Sequence, residues 1–261
     1  MSETAHSTPV RGAPCWANLV ARDLRATQEF YAAVLGWSYR PGSLGEEFSV
    51  ALLDGQPVAG IGALAQSLQV PVAWTPYFAV ESADGTADRI RERGATMAVG
   101  PLVLGKGRAG LAADRDGAVF GFWEGEVLPW SVGQGRAPAM VELRTRSESA
   151  AAIFYGEVFD WSPSEQPGSC TVIPEDGRVV VRDGARTVAA LRGGGIAADP
   201  DPKVRPRWSV QFPVDDIAQA AAAAVDAGGT VTPLPSADSS TRSDRAVIRD
   251  PDGGLFTVCT L

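Results

Sequence analysis

The chain reads as an α+β protein made of two tandem copies of one domain. Each copy holds two β-α-β-β-β modules, so four modules form curled mixed sheets with helices on their convex sides. Three observations predict this. The phrase Phe30-Tyr31-x-x-Val34-x-x-Trp37 returns as Phe154-Tyr155-x-x-Val158-x-x-Trp161, offset by 124 residues at both ends. A period of that size is a duplicated domain, not a solenoid repeat. The turn Asp114-Arg115-Asp116-Gly117 returns as Asp250-Pro251-Asp252-Gly253, each time just ahead of a final apolar strand. Within each copy, a strand, a helix and three strands occur twice.

In the first copy, Cys15 to Ala21 is the opening strand. A helix runs from about Asp23, a good N-cap, to Leu35, with Gly36 suited to close it. Its apolar stripe is Thr27, Phe30, Tyr31 and Val34. Strands follow at Trp37 to Arg40, Phe48 to Leu53 and Val58 to Ala63, the last two joined by an Asp54-Gly55 turn. The second module has a strand at Tyr77 to Val80, a helix from Asp84 to Arg93 ending at Gly94, and strands at Ala95 to Val99, Gly110 to Ala113 and Ala118 to Glu124. The second copy opens at Met140 to Arg144. Ser147 caps a helix to Phe159, and strands continue to about Leu191. Ser209 to Val214, a helix over Asp215 to Ala227 and a last strand at Leu255 to Thr260 complete it. The second copy is longer by a loop, placed at Gly193 to Arg207. The expected boundaries are 13–124 and 139–261, with a Gly- and Pro-containing linker at 125–138. Residues up to about Gly12 read as a tail.

Composition removes several function classes. The 261 residues carry a net charge of −8, which repels phosphate and argues against nucleic acid as a partner. No apolar run has membrane-spanning length, and the polar N-terminus lacks a signal core; a cytoplasmic location is expected. Cys15, Cys170 and Cys259 form no ligand cluster and read as reduced, buried thiols. The only histidine is His6, in the tail. Ser-His-Asp and Cys-His catalysis are therefore out, as are multi-histidine metal sites. Any base must be a carboxylate, Tyr, Lys or Cys. Gly105-Lys106-Gly107-Arg108-Ala109-Gly110 lacks P-loop spacing and precedes a strand, so it reads as a hairpin loop.

The Asp23-Leu24-x5-Phe-Tyr-x-x-Val-Leu-Gly-Trp opening and the Asp-Pro-Asp-Gly-x-x-Phe ending resemble the vicinal oxygen chelate superfamily, over about Ala13 to Leu261. That group comprises glyoxalases, bleomycin-resistance proteins and extradiol dioxygenases. The likeness is nearest to double-domain actinobacterial members with accessory roles in antibiotic tailoring. In metal-using members, a cup-shaped sheet presents His or Glu chelators from first and last strands to a divalent ion. Carried over, those places fall on Trp16, Gly60, Thr75 and Gly121 in the first copy. In the second they fall on Met140, Ala190, Ser209 and Thr257. None is a chelator; a shift of one or two residues would bring in Glu142 alone. No metal and no other cofactor is expected.

Strand alternation then predicts what the cups contain. Trp16, Asn18, Thr75, Tyr77 and Trp123 face inward in the first copy. Met140, Glu142, Arg144, Ser209, Gln211 and Thr257 do so in the second. Phe78, Phe120, Phe122, Phe212, Phe256 and Val258 pack beneath the helices instead. Trp74 and Trp208 read as strand-edge packing, and Tyr31 and Tyr155 as core. Rings with a few polar groups suit a flat or aromatic ligand, although Trp16 and Trp123 would equally fill a cup or the contact between copies. A partly wet ion pair between Glu142 and Arg144 at the mouth is the plainer reading; for catalysis Glu142 is the first choice of base, its pKa raised by burial beside aromatics, and Arg144 would hold an oxyanion or carboxylate. Two functions remain open. One is metal-independent binding of an aromatic or polyketide-like small molecule, in sequestration or antibiotic tailoring. The other is a metal-free isomerase, cyclase or lyase using Glu142 or Tyr77 for proton transfer. The two copies pair within one chain as a pseudo-dimer, and a homodimer is possible.

Overall fold

The computed structural model describes residues 10–42, 44–128, 130–175, 177–194, 205–234 and 245–260. His6 and most of the expected Gly193 to Arg207 loop lie outside these. The first copy comprises β1 (Pro14–Val20), α1 (Leu24–Leu35), β2 (Ser38–Pro41), β3 (Phe48–Leu53) and β4 (Gln56–Gly62), then β5 (Ala73–Ala79), α2 (Ala83–Glu92), β6 (Thr96–Leu104), β7 (Gly107–Ala113) and β8 (Val119–Glu124). The second comprises β9 (Met140–Arg144), α3 (Glu148–Phe159), β10 (Thr171–Glu175), β11 (Arg178–Asp183) and β12 (Arg186–Arg192), then β13 (Arg207–Pro213), α4 (Ile217–Asp226), β14 (Thr230–Leu234), β15 (Arg245–Arg249) and β16 (Leu255–Cys259). Each copy supplies one eight-stranded mixed sheet. The orders are β2-β3-β4-β1-β5-β8-β7-β6 and β10-β11-β12-β9-β13-β16-β15-β14.

Local chemistry sets the ends of these elements. The Asp23 carboxylate accepts from the Ala26 amide at 2.8 Å and starts α1. Gly36, at φ 69°, closes it in the left-handed region; Asp160, at φ 57°, does the same for α3. Asp54 and Gly55 both take positive φ, as a two-residue turn between Leu53 and Gln56 requires. Helix α2 starts earlier than expected, because Ser82 and not Asp84 is its cap, accepting from the Gly85 amide. Asp216, not Asp215, caps α4. Arg11 and Gly12 are not a free tail. The Gly12 amide donates to the Ala79 carbonyl, and the Trp161 indole donates to the Gly12 carbonyl. The segment between the copies also packs, with Val127, Trp130 and Val132 buried.

Contacts group the described residues into two compact units, and neither unit is a single copy. One lies within Met1–Trp16, Pro76–Gly133 and Met140–Trp208; the other within Ala17–Thr75, Gln134–Ala139 and Ser209–Leu261. In the first, α2 lies against α3; in the second, α1 lies against α4. The first unit's core stacks Phe78 on Phe159 at 4.5 Å and sets Phe120 edge-on to Tyr155 at 5.2 Å. The second packs Trp37 and Trp74 on Phe212, each at 5.0 Å. Phe78, Phe120, Phe122, Phe212, Phe256 and Val258 are all buried, as their place in the alternation predicts.

The same hydrogen-bonded chain recurs once per unit. Trp74 Nε1 donates to Tyr31 Oη at 2.9 Å, and Tyr31 Oη donates to Asp250 Oδ2 at 2.9 Å. The other oxygen of Asp250 accepts from the amides of Asp252 and Gly254. In the first unit Trp208 Nε1 donates to Tyr155 Oη at 3.0 Å, and Tyr155 Oη to Asp114 Oδ2 at 2.9 Å. Asp114 Oδ1 accepts from the Asp116 and Ala118 amides. The repeated Tyr of one copy thus holds the Asp-x-Asp-Gly turn of the other. Trp74 and Trp208 are therefore not edge packing; each is buried and ends a polar chain.

Candidate ligand-binding site

Strand register fixes which side chains stand level with the places of the family chelators. Asn18 pairs with Gly60 and Glu142 with Ala190; Tyr77 pairs with Gly121 and Gln211 with Thr257. Taken level with Gly60, Gly121, Ala190 and Thr257, the first-strand residues are Asn18, Tyr77, Glu142 and Gln211. Trp16, Thr75, Met140 and Ser209 lie two residues off. A two-residue shift keeps the same face of the sheet, which is why alternation alone did not reveal it. Of the eight residues on these four pairs, only Glu142 is a carboxylate. Among the described residues, no three His, Cys, Asp or Glu side chains converge as a metal site would need. The residues present do not fit a chelated divalent ion.

In the first unit, the Tyr77 ring lies over Gly121, the last-strand position that the resemblance singles out. A Cβ built on Gly121 would meet the Tyr77 ring at 2.4 Å, so the ring covers Gly121. Tyr77, Trp123, Cys15, Ala79 and Val127 form one apolar cluster. Burial, then the nearby Cys15 thiol, pushes the Tyr77 phenol up to about 12. At neutral pH it is a proton donor, not a base. Trp123 Nε1 donates to the Glu126 carbonyl at 3.0 Å, while its ring lies against Gly107. The half-buried Trp16 sits 5.9 Å from Trp130. Both indoles thus have partners within the protein. The three cysteines are buried thiols, none of them in a disulfide.

The first unit also carries the second sheet's charged face. Val141 and Leu143 of β9 are fully buried, and α3 lies against β11 and β12. Met140, Glu142 and Arg144 alternate onto the opposite face, half-buried. The Glu142 side chain is 14% exposed and pairs with Arg192 at 3.5 Å, not with Arg144 as its neighbourhood in sequence suggests. Arg192 stands directly beside Arg144 across the β9–β12 pair, and Arg178 beside Arg192 on β11. Glu175 takes both Arg178, at 2.7 Å, and Arg182, at 3.2 Å, which hold its carboxyl below the usual range. Sequence reasoning missed Arg192, Arg178 and Arg182. Arg192 is the last residue of β12, one beyond the expected strand end at Leu191. Glu142 and Tyr77 stand on different sheets, on β9 and β5.

In the second unit, Thr75, Gln211 and Thr257 are buried, and Ser209 is half-buried. Asn18 donates to the Leu19 carbonyl, but its buried Oδ1 has no hydrogen-bond partner. A surface depression of about 550 Å³ lies beside the start of α1, lined by Arg22, Asp23, Glu47, Gln66 and Ser67. It includes none of the inward-facing residues.

A model of the glyoxalase-like domain matches residues 140–259. The anthracycline biosynthesis protein DnrV of Streptomyces peucetius is 30% identical over 96% of this chain and 94% of its own length. The chain belongs to the glyoxalase-like family of the vicinal oxygen chelate superfamily. CFP32 of Mycobacterium bovis, named as a proposed glyoxylase, is also 30% identical, over 95% of this chain and 94% of its own. Among solved structures, the Mn(II)-bound glyoxalase of Novosphingobium aromaticivorans shares the fold at 14% identity. Its TM-score is 0.58, over 97% of this chain and 83% of that one. This glyoxalase-like chain therefore has the tandem, double-domain form of the family. No helix among its described residues is long and apolar enough to cross a membrane.

Proposed function

We propose that this glyoxalase-like chain binds an aromatic or polyketide-like small molecule without a metal, in an accessory role in antibiotic tailoring or sequestration. The observation that carries the reading is the donor set at the family's chelating positions. Seven of the eight register-matched residues carry no carboxylate or imidazole, and the Tyr77 ring occupies the space over Gly121. What remains is recognition by rings, amides and hydroxyls rather than Lewis-acid activation. Full-length similarity to DnrV supports an aromatic polyketide as the ligand class. A second reading is supported by Glu142, the one carboxylate at these positions, with only 14% of its side chain exposed. It is a metal-free isomerase, cyclase or lyase with Glu142 as base; the high phenol pKa removes Tyr77 from that role.

Titrating the purified chain with an anthracycline, followed by tryptophan fluorescence, tests both readings. Saturable binding that is unchanged by a chelator is expected. Binding that appears only with an added divalent cation would refute the metal-free reading. Conversion of the ligand by the native chain, lost in Glu142→Gln while binding persists, would establish the enzyme instead.

A further inference from the structure

The charged face of the second sheet does not balance. Strands in a sheet lie about 4.8 Å apart, so Arg144, Arg192 and Arg178, abreast on β9, β12 and β11, bring three like charges side by side. Adjacent like charges are destabilising unless anions neutralise them. Glu175 serves Arg178 and Arg182, and Glu142 serves Arg192. Among the described residues, Arg144 has no ion pair or hydrogen bond. Arg182 Nε is buried and also lacks an acceptor. In a chain of net charge −8, four arginines and two glutamates on one local face run against the average.

We propose that Arg144, with Arg192 beside it, binds the carboxylate of an organic monoacid on this face. A planar guanidinium matches a carboxylate through paired N–H···O bonds. Glu142 is the neighbour of Arg144 on β9 and the partner of Arg192. Its charge favours a singly charged acid over a phosphate dianion. Met140, next along the same face of β9, offers apolar contact to the body of the acid. This inference rests on the small-molecule-binding reading and adds to it the ionic handle of the ligand.

The test uses the full chain with benzoate as probe and benzamide as its neutral counterpart. Arginine side-chain Nε–H signals are followed by NMR in the native chain and in Arg144→Gln, Arg192→Gln and the surface control Arg25→Gln. Saturable shifts of the Arg144 and Arg192 signals with benzoate are expected, with no response to benzamide. Arg144→Gln should weaken benzoate about ten-fold or more, and Arg25→Gln should leave it unchanged. Equal binding of benzamide would sink the anion inference and leave aromatic recognition standing, as would unaltered affinity in Arg144→Gln. No saturable response to either compound anywhere in the chain would count against both readings.

Discussion

Tyr31 and Tyr155 show what a single hydroxyl does in this molecule. Each is fully buried, so its oxygen needs partners, and it finds a Trp donor and an Asp acceptor. Burial is the first cause raising the carboxyls of Asp114 and Asp250, despite the bonds from Tyr and the backbone that pull the other way. The sign of the pH dependence follows. As pH rises past the usual carboxylate value, the unfolded chain ionises first and the folded chain holds the extra protons. Stability from these groups is then full at lower pH and is lost as pH rises through the elevated folded values. Urea unfolding across the acidic range should show this decline, and the double variant Asp114→Asn, Asp250→Asn should lack it. A native-like slope in that variant would refute the assignment. Sequence placed both tyrosines in the core through helical spacing, but it could not supply the hydroxyl's partner, which lies 219 residues away for Tyr31.

At the scale of strands, three elements extend beyond their expected bounds through a proline. Strands β4, β5 and β6 run past the expected limits at Val58, Tyr77 and Val99, and the added residues include Pro57, Pro76 and Pro101. Proline lacks a ladder donor, and a strand tolerates it at positions that need none, so it marks an end less reliably than spacing suggests. The faces of strands were legible, because alternation survives such errors. Register was not, because pairing is set by partners remote in sequence, and Asn18 and Glu142, not Trp16 and Met140, stand beside Gly60 and Ala190. The pairing of Tyr77 with Gly121 carries its own expectation. Gly121→Ala places a methyl group within the ring's space and should cost ~1–3 kcal/mol. In Tyr77→Ala the same change should cost far less, a coupling read from a double-mutant cycle of urea midpoints. Additive costs would mean that the ring does not occupy that place.

The whole molecule is organised by interleaved halves. The duplication was plain from the repeated phrase, and each sheet follows its own copy. The compact units do not, since each joins a module of the first copy to one of the second. Sequence periodicity reports ancestry of segments, whereas packing depends on which apolar faces meet, and no repeat encodes that. A fragment covering residues 1–138 leaves Tyr31 without Asp250 and Phe120 without the rings of α3. Expressed alone, it should fail to give a folded monomer. Mixed with 139–261, it should give a one-to-one complex with a cooperative thermal transition, resolved by size exclusion with light scattering. A stable monomer of either fragment would show that the interleaving is dispensable.

The crossed Tyr–Asp bonds carry a consequence for descent. A recombination event that replaced one copy wholesale would have to present its phenol and its aspartate turn to a partner it had never met. Changes that persist would accumulate on the sheet faces turned away from those bonds, leaving the second sheet able to acquire arginines while the first kept rings.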